Sequence, residues 1–186
     1  FVMLLNSCSV ETEEAITYKG EAEIEINLDF ASNKQAGRNM SPTQEQRVHE
    51  AHVLVFDAAL DTLMGVSESI WIVEEANSKK RFMVEVPKGV LDLITLANSK
   101  AVIKAANLQE GMTKSEVASA LTFQQTNRWN VNSSNPDYIP FWGEKRDCIV
   151  QGNTSIDGIT MLRSLARVDV AVVGEALTEF KLETVS

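Results

Sequence analysis

Cysteine is nearly absent from this chain of 186 residues, which holds Cys8 and Cys148 far apart in sequence. No disulfide framework is indicated, so the fold must rest on a packed core. Histidine is as scarce, with His49 and His52 in RVHEAH and no third to complete a metal site. Three residues apart at a strand entry, they are expected to point to opposite faces and form a satisfied surface or edge pair. No nucleophile elbow or histidine-served triad can be read, and the scattered glycines have no phosphate-cradling spacing. Basic residues are also in deficit: 17 Lys and Arg face 26 Asp and Glu, for a net charge of -9. That balance excludes a nucleic-acid partner, because no basic stripe exists to neutralise phosphates, and an anionic membrane surface would repel the chain. These absences leave no metal, cofactor or catalytic residue to propose, and the expected class is not an enzyme.

What is present is a patterned body, 44% hydrophobic and 23% charged, enough for one well-packed core or two small ones. In GEAEIEINLDFA, Ile24, Ile26, Leu28 and Phe30 alternate with Glu23, Glu25, Asn27 and Asp29, the period of a half-buried strand. The polar run SNKQAGRNMSPTQEQ, with Gly37 and Pro42 as breakers, then reads as a long loop. Apolar, β-branched and aromatic residues predict further strands at 52–57, 69–75, 81–86 and 90–98, the last entered through a turn at Pro87-Lys88-Gly89. Between Ser99 and Thr122 the period changes, and Thr113 with Glu116 forms a capping box ahead of a short amphipathic helix. A loop-like stretch follows, rich in Asn and Ser. Its Trp129, together with Tyr138, Phe141 and Trp142, could build a sugar platform or pin the loop to the core. Strands are again expected at 148–152, 162–173 and 180–185. Seven or eight such strands predict an all-β, antiparallel two-sheet sandwich with a short helical insertion. There is no internal repeat, and no linker divides the body.

The N-terminus has a different character. Phe1 to Leu5 is too short to span a bilayer and resembles the end of a signal-peptide apolar region. Leu5-Asn6-Ser7-Cys8 resembles the lipobox of bacterial lipoproteins, in which the cysteine takes the lipid; Asn6 departs from the small or branched residue usual there. The polar, acid-rich continuation gives Cys8 no core to enter. Glu11, Glu13 and Glu14 resemble the acidic tether of surface-exposed lipoproteins in Bacteroidales, although a plain solvated linker would look the same.

The ordered series from the lipobox cysteine through EAEIEINLDFA, QAGR, RVHEAHVLVFD, VPKGVLDLITLANS, YIPFWGE and LRSLARVDVAVV resembles the N-terminal half of Bacteroidales fimbrillins, the major and minor fimbrial subunits of Porphyromonas and their gut relatives. The resemblance covers nearly the whole chain. It implies residues 1–19 as signal remnant, lipobox and acidic tether, and residues 20–186 as a transthyretin-like β-sandwich of about seven strands, without the second domain that family members carry. It also implies lipidation at Cys8, the cell outer membrane and surface fimbrium as location, and adhesion as the broader role. The family's mechanism would have an arginine-specific protease cut the loop after the first strand, at Arg38 or, as second choice, Arg47. Loss of the displaceable strand bearing Ile24, Ile26, Leu28 and Phe30 would then open a groove for a donor strand from another fimbrial subunit. The resemblance does not separate stalk, anchor and tip subunits, and anchoring relatives keep the first strand uncut. Two other readings stay open: a surface glycan-binding lipoprotein using Trp129 and Trp142, and a small lipid-anchored enzyme with an unfamiliar site.

Overall fold

The computed structural model describes residues 22–30, 47–74, 79–123 and 138–164. Among these residues, eight strands and two short helices follow in the order β1 (Ala22–Phe30), β2 (Ala51–Asp57), β3 (Thr62–Glu68), β4 (Trp71–Glu74), β5 (Lys79–Val86), β6 (Gly89–Ala97), α1 (Lys100–Ala106), α2 (Lys114–Ala120), β7 (Phe141–Val150) and β8 (Thr154–Arg163). The strands form one hydrogen-bonded series, β3-β2-β6-β7-β8-β1-β5-β4. It folds over on itself, because β7 and β8 pair only at Phe141↔Arg163 and Trp142↔Leu162. The corner demands a glycine. A Cβ on Gly143 would lie 2.7 Å from Ile159 Cγ2 and 2.9 Å from the Thr160 carbonyl oxygen, so a side chain there would push β7 off β8.

The core fills the space between the two layers. Val53 and Val55 of β2 and Leu93 of β6 meet Ile24, Ile26 and Leu28 of β1 and Phe82 and Val84 of β5 in one buried cluster. A second cluster lies on the opposite side of β2 and β6, where Leu54, Phe56 and Leu96 pack against Ile103 of α1 and Val117 of α2. β2 is therefore buried on both faces and reads as a near-continuous apolar run, whereas β1 alternates.

The all-β sandwich and its helical insertion are as expected, with three differences in detail. β3 lies in a stretch where no strand was predicted, since Gly65 and Ser67 dilute its apolar pattern. β7 and β8 begin well before the runs predicted at 148 and 162, because Gly143 and the Asp157-Gly158 pair imitate turn chemistry inside strands. The sandwich is also not wholly antiparallel: β1 runs parallel to β8.

The capping box forms as read, with Thr113 Oγ1 accepting from the Glu116 N–H and the Glu116 carboxylate accepting from the Thr113 N–H at 2.8 Å. Asn98, in the left-handed region at φ 56, ties three segments together. Its Oδ1 accepts from the His49 N–H, and its Nδ2 donates to the carbonyls of Arg47 and Ile139, each at 2.8 Å. The Asn of the LANS sequence is thus a junction between the entry to β2, the exit of β6 and the approach to β7.

Candidate functional site

The site is the slot that β1 fills. β1 lies inside the sheet, antiparallel to β5 on one side and parallel to β8 on the other. Its Ile24, Ile26 and Leu28 are fully buried, flanked by Val84 and Phe82 across β5 and by Ile156 and Ile159 across β8. This is the face the alternating sequence predicted. Phe30 is paired through its backbone with Met161, and its side chain lies outside the described atoms. β2, the next strand along the chain, pairs with β3 and β6 and belongs to the opposite layer. Hence no ladder joins β1 to the strand that follows it.

The rim of the slot is polar and has an ordered register. Glu23 stands opposite Glu85, Glu25 opposite Met83, Asn27 opposite Arg81 and Asp29 opposite Lys79. Arg81 Nη1 donates to Glu25 Oε2 at 3.0 Å, a diagonal pair with both side chains about one-third exposed. At the entry to β1, the Glu23 N–H donates to Asn153 Oδ1 at 3.2 Å. On the β8 side the register shifts between Ile26 and Leu28, whose partners are Ile156 and Ile159. Gly158, at φ 76, takes up the extra residue of this bulge.

The other sequence-derived candidates fall elsewhere. Cys8, Arg38 and Trp129 lie outside the described residues. Arg47 is described and exposed; its guanidinium rests 5.6 Å from the centroid of the Tyr138 ring while its carbonyl is held by Asn98. His49 stacks on the same ring at 5.0 Å. His52 differs from the surface pair expected: it is buried in β2, with Nδ1 2.6 Å from Glu50 Oε2, and Glu68 beyond Nε2 at 3.9 Å. The backbone folds its neighbours over it. Among the described residues no group of His, Cys, Asp or Glu could hold a metal ion, and no described helix is long and apolar enough to cross a membrane.

Cys148 is buried and in no disulfide, and burial pushes its thiol up to about 11, which removes the thiolate needed for reaction at neutral pH. Among the described residues, Tyr138, Phe141 and Trp142 do not assemble into a platform. Phe141 enters the core, Tyr138 is covered by His49, and Trp142 stands on the outer face across from Leu162.

Comparison with known proteins agrees with the resemblance carried by the motifs. Among solved structures, the tip fimbrial protein Mfa3 from Porphyromonas gingivalis, with C-terminal truncation, is 17% identical with a TM-score of 0.45, over 76% of this chain and 48% of that one. The fimbrilin FimA from Porphyromonas gingivalis W83 is 12% identical with a TM-score of 0.42, over 78% of this chain and 40% of that one. This chain thus spans less than half the length of either. No curated protein matches. Residues 16–186 match the family described as Fimbrillin-A associated anchor proteins Mfa1 and Mfa2. The chain belongs to that family, whose members are structural fimbrial proteins and not enzymes.

Proposed function

We propose that this chain is part of a fimbrial subunit, carried to the outer membrane by a lipid on Cys8 and joined to its neighbour by exchange of β1 for a donor strand. The observation that carries this reading is the position of β1. It is an inner strand with three fully buried apolar side chains, yet it precedes all other described strands and pairs with none adjacent in sequence. One cut between β1 and β2 would leave it held by non-covalent contacts alone. Removing it would expose Ile24, Ile26 and Leu28 at about 1.5 to 3 kcal/mol each, together with the unpaired edges of β5 and β8. That loss is comparable with the net stability of a whole domain. An empty slot is therefore not a resting state, and departure of β1 must be coupled to arrival of another strand.

Arg38 is the better cleavage site of the two. A protease needs several residues extended in its cleft, and the carbonyl of Arg47, the scissile group there, is occupied by Asn98. Family membership supports a surface fimbrium as the setting, with other fimbrial subunits as partners and adhesion as the purpose of the assembly. Anchoring depends on more than one acyl chain at Cys8, because a single chain binds a bilayer only marginally.

The test is processing of the purified chain by an arginine-specific protease. A new N-terminus at Asn39, abolished by Arg38→Ala and unaffected by Arg47→Ala, is expected. Cleavage after Arg47, or unfolding as soon as the loop is cut, would contradict the reading. In cells, Cys8→Ser should leave an unlipidated precursor that is lost from the outer membrane.

A further inference from the structure

The two halves of the β1 slot are walled differently, and the wall changes at the bulge around Gly158. Leu28 and Phe30 lie beside Ile159 and Met161 of β8, whereas Ile24 and Ile26 lie beside Thr154 and Ile156. Behind Ile159 and Met161 stands the backbone of β7: a Cβ on Gly143 would come within 2.7 Å of Ile159 Cγ2 and 2.8 Å of Met161 Sδ. Ile159 is thus held between Leu28 on one side and Gly143 on the other, in a close-packed interior with no room to yield. Behind Ile156 the layers have parted. β7 and β8 pair at Phe141↔Arg163 and Trp142↔Leu162 and then diverge. Among the described residues, the far side of Ile156 gives on a cleft of about 340 Å³ that Cys148, Ile149 and Thr154 also line. Ile24, Ile26 and Leu28 are alike in being fully buried; what differs is whether the wall beside them can give.

Resting on the donor-strand reading above, we propose that the slot selects its occupant by side-chain size: it favours a strand from another fimbrial subunit that carries an aromatic or other large apolar residue at the position of Ile26 and nothing larger than leucine at the position of Leu28. A phenylalanine at the first position pushes Ile156 toward the cleft and buries additional apolar area. At the second it drives Ile159 into the β7 backbone, and overpacking without relief costs more than the added burial contributes. β1 meets the strict condition at Leu28 and leaves the permissive one at Ile26 unused. Exchange thereby acquires a direction, because a donor with the larger residue gains contacts that β1 does not make. The same contrast fixes register: a strand advanced by two residues keeps its apolar face inward but sets its large side chain against Ile159.

The experiment uses the full chain with a specific protease site inserted between β1 and β2, cut, and challenged with synthetic peptides of residues 22–30. Two variants, Ile26→Phe and Leu28→Phe, each exchange one aliphatic residue for the same aromatic one, so general hydrophobic attraction affects them alike. The Ile26→Phe peptide should displace β1 about threefold more effectively than the unaltered peptide, and the Leu28→Phe peptide about tenfold less or worse. In the protein, Ile159→Val trims the strict wall conservatively; it should restore most of the displacement lost by Leu28→Phe and leave that by Ile26→Phe unchanged. An Ile26→Phe peptide no better than the unaltered one, a Leu28→Phe peptide no worse, or a penalty that Ile159→Val does not ease would each overturn the size rule while leaving donor-strand exchange intact. Failure of the unaltered peptide to enter would overturn both.

Discussion

β1 and β2 are both inner strands, and they are secured in opposite ways. β2 has apolar residues on both faces: Val53 and Val55 point to the core between the layers, and Leu54 and Phe56 to the layer covered by α1 and α2. It continues directly into β3 through a turn in which Asp57 Oδ1 accepts from the N–H groups of Ala59 and Leu60 at 2.8 and 2.9 Å. β1 buries Ile24, Ile26 and Leu28 on one face, leaves Glu23 exposed and Glu25 half-buried on the other, and finds its partners far along the chain in β5 and β8. Strength of burial is therefore a poor guide to permanence. On the donor-strand reading, what would make β1 exchangeable is burial on one side combined with a place ahead of all other described strands, with no ladder to the next of them.

The contrast is sharpest when both strands are given a buried charge. Ile26→Asp and Leu54→Asp should each prevent folding of the intact chain, since an unpaired carboxylate in the core costs several kcal/mol. An excess of peptide 22–30 should restore the first variant, monitored by circular dichroism, and leave the second unfolded. Equal rescue of both, or of neither, would erase the distinction between the strands. Phe56→Ala probes the permanent strand in a milder way; loss of a fully buried aromatic should cost about 3 to 5 kcal/mol in chemical denaturation. The change leaves the β1 slot untouched, so peptide exchange should go on at its former rate under native conditions.

Asn98→Ala should cost about 3 kcal/mol, from three lost side-chain hydrogen bonds and a left-handed backbone that alanine resists. Asn98→Gly should recover the backbone part only. Because the bond to the Arg47 carbonyl goes in both variants, each should also make Arg47 newly cleavable, read by N-terminal sequencing. The smallest effect concerns acid. Burial pushes the Asp92 carboxyl up, but the Lys114 ammonium at 2.5 Å and the Asp147 N–H at 2.7 Å outweigh it and hold the group below its ordinary value. With its folded pKa depressed, Asp92 contributes stability above the ordinary carboxylate range, and that contribution is lost as pH falls through the folded value, below about pH 4. Thermal melts of Asp92→Asn should accordingly depend less steeply on pH in that range than those of the parent chain.

The parts of this arrangement legible in the sequence were those set by local periodicity. The alternation from Glu23 to Leu28 revealed which side of β1 is buried, and Thr113 with Glu116 marked the start of α2. β3 and the first half of β8 were not legible, because their glycines and polar residues are tolerated only through partners that the chain brings in from elsewhere. The role of Asn98 was hidden for the same reason: its partners lie 41 to 51 residues away. Nor could the rim be read. Glu25 and Arg81 are separated by 56 residues, and only the register of β1 on β5 makes them neighbours.

Native mass spectrometry of the chain cut between β1 and β2, mixed with isotopically heavy peptide 22–30, tests the central claim most directly. The account predicts that the cut chain keeps its light β1 fragment when alone, and that added peptide converts it to the heavy complex with no long-lived empty species between them. A fragment that never leaves while the domain stays folded, or a domain that unfolds once the loop is cut, would contradict it.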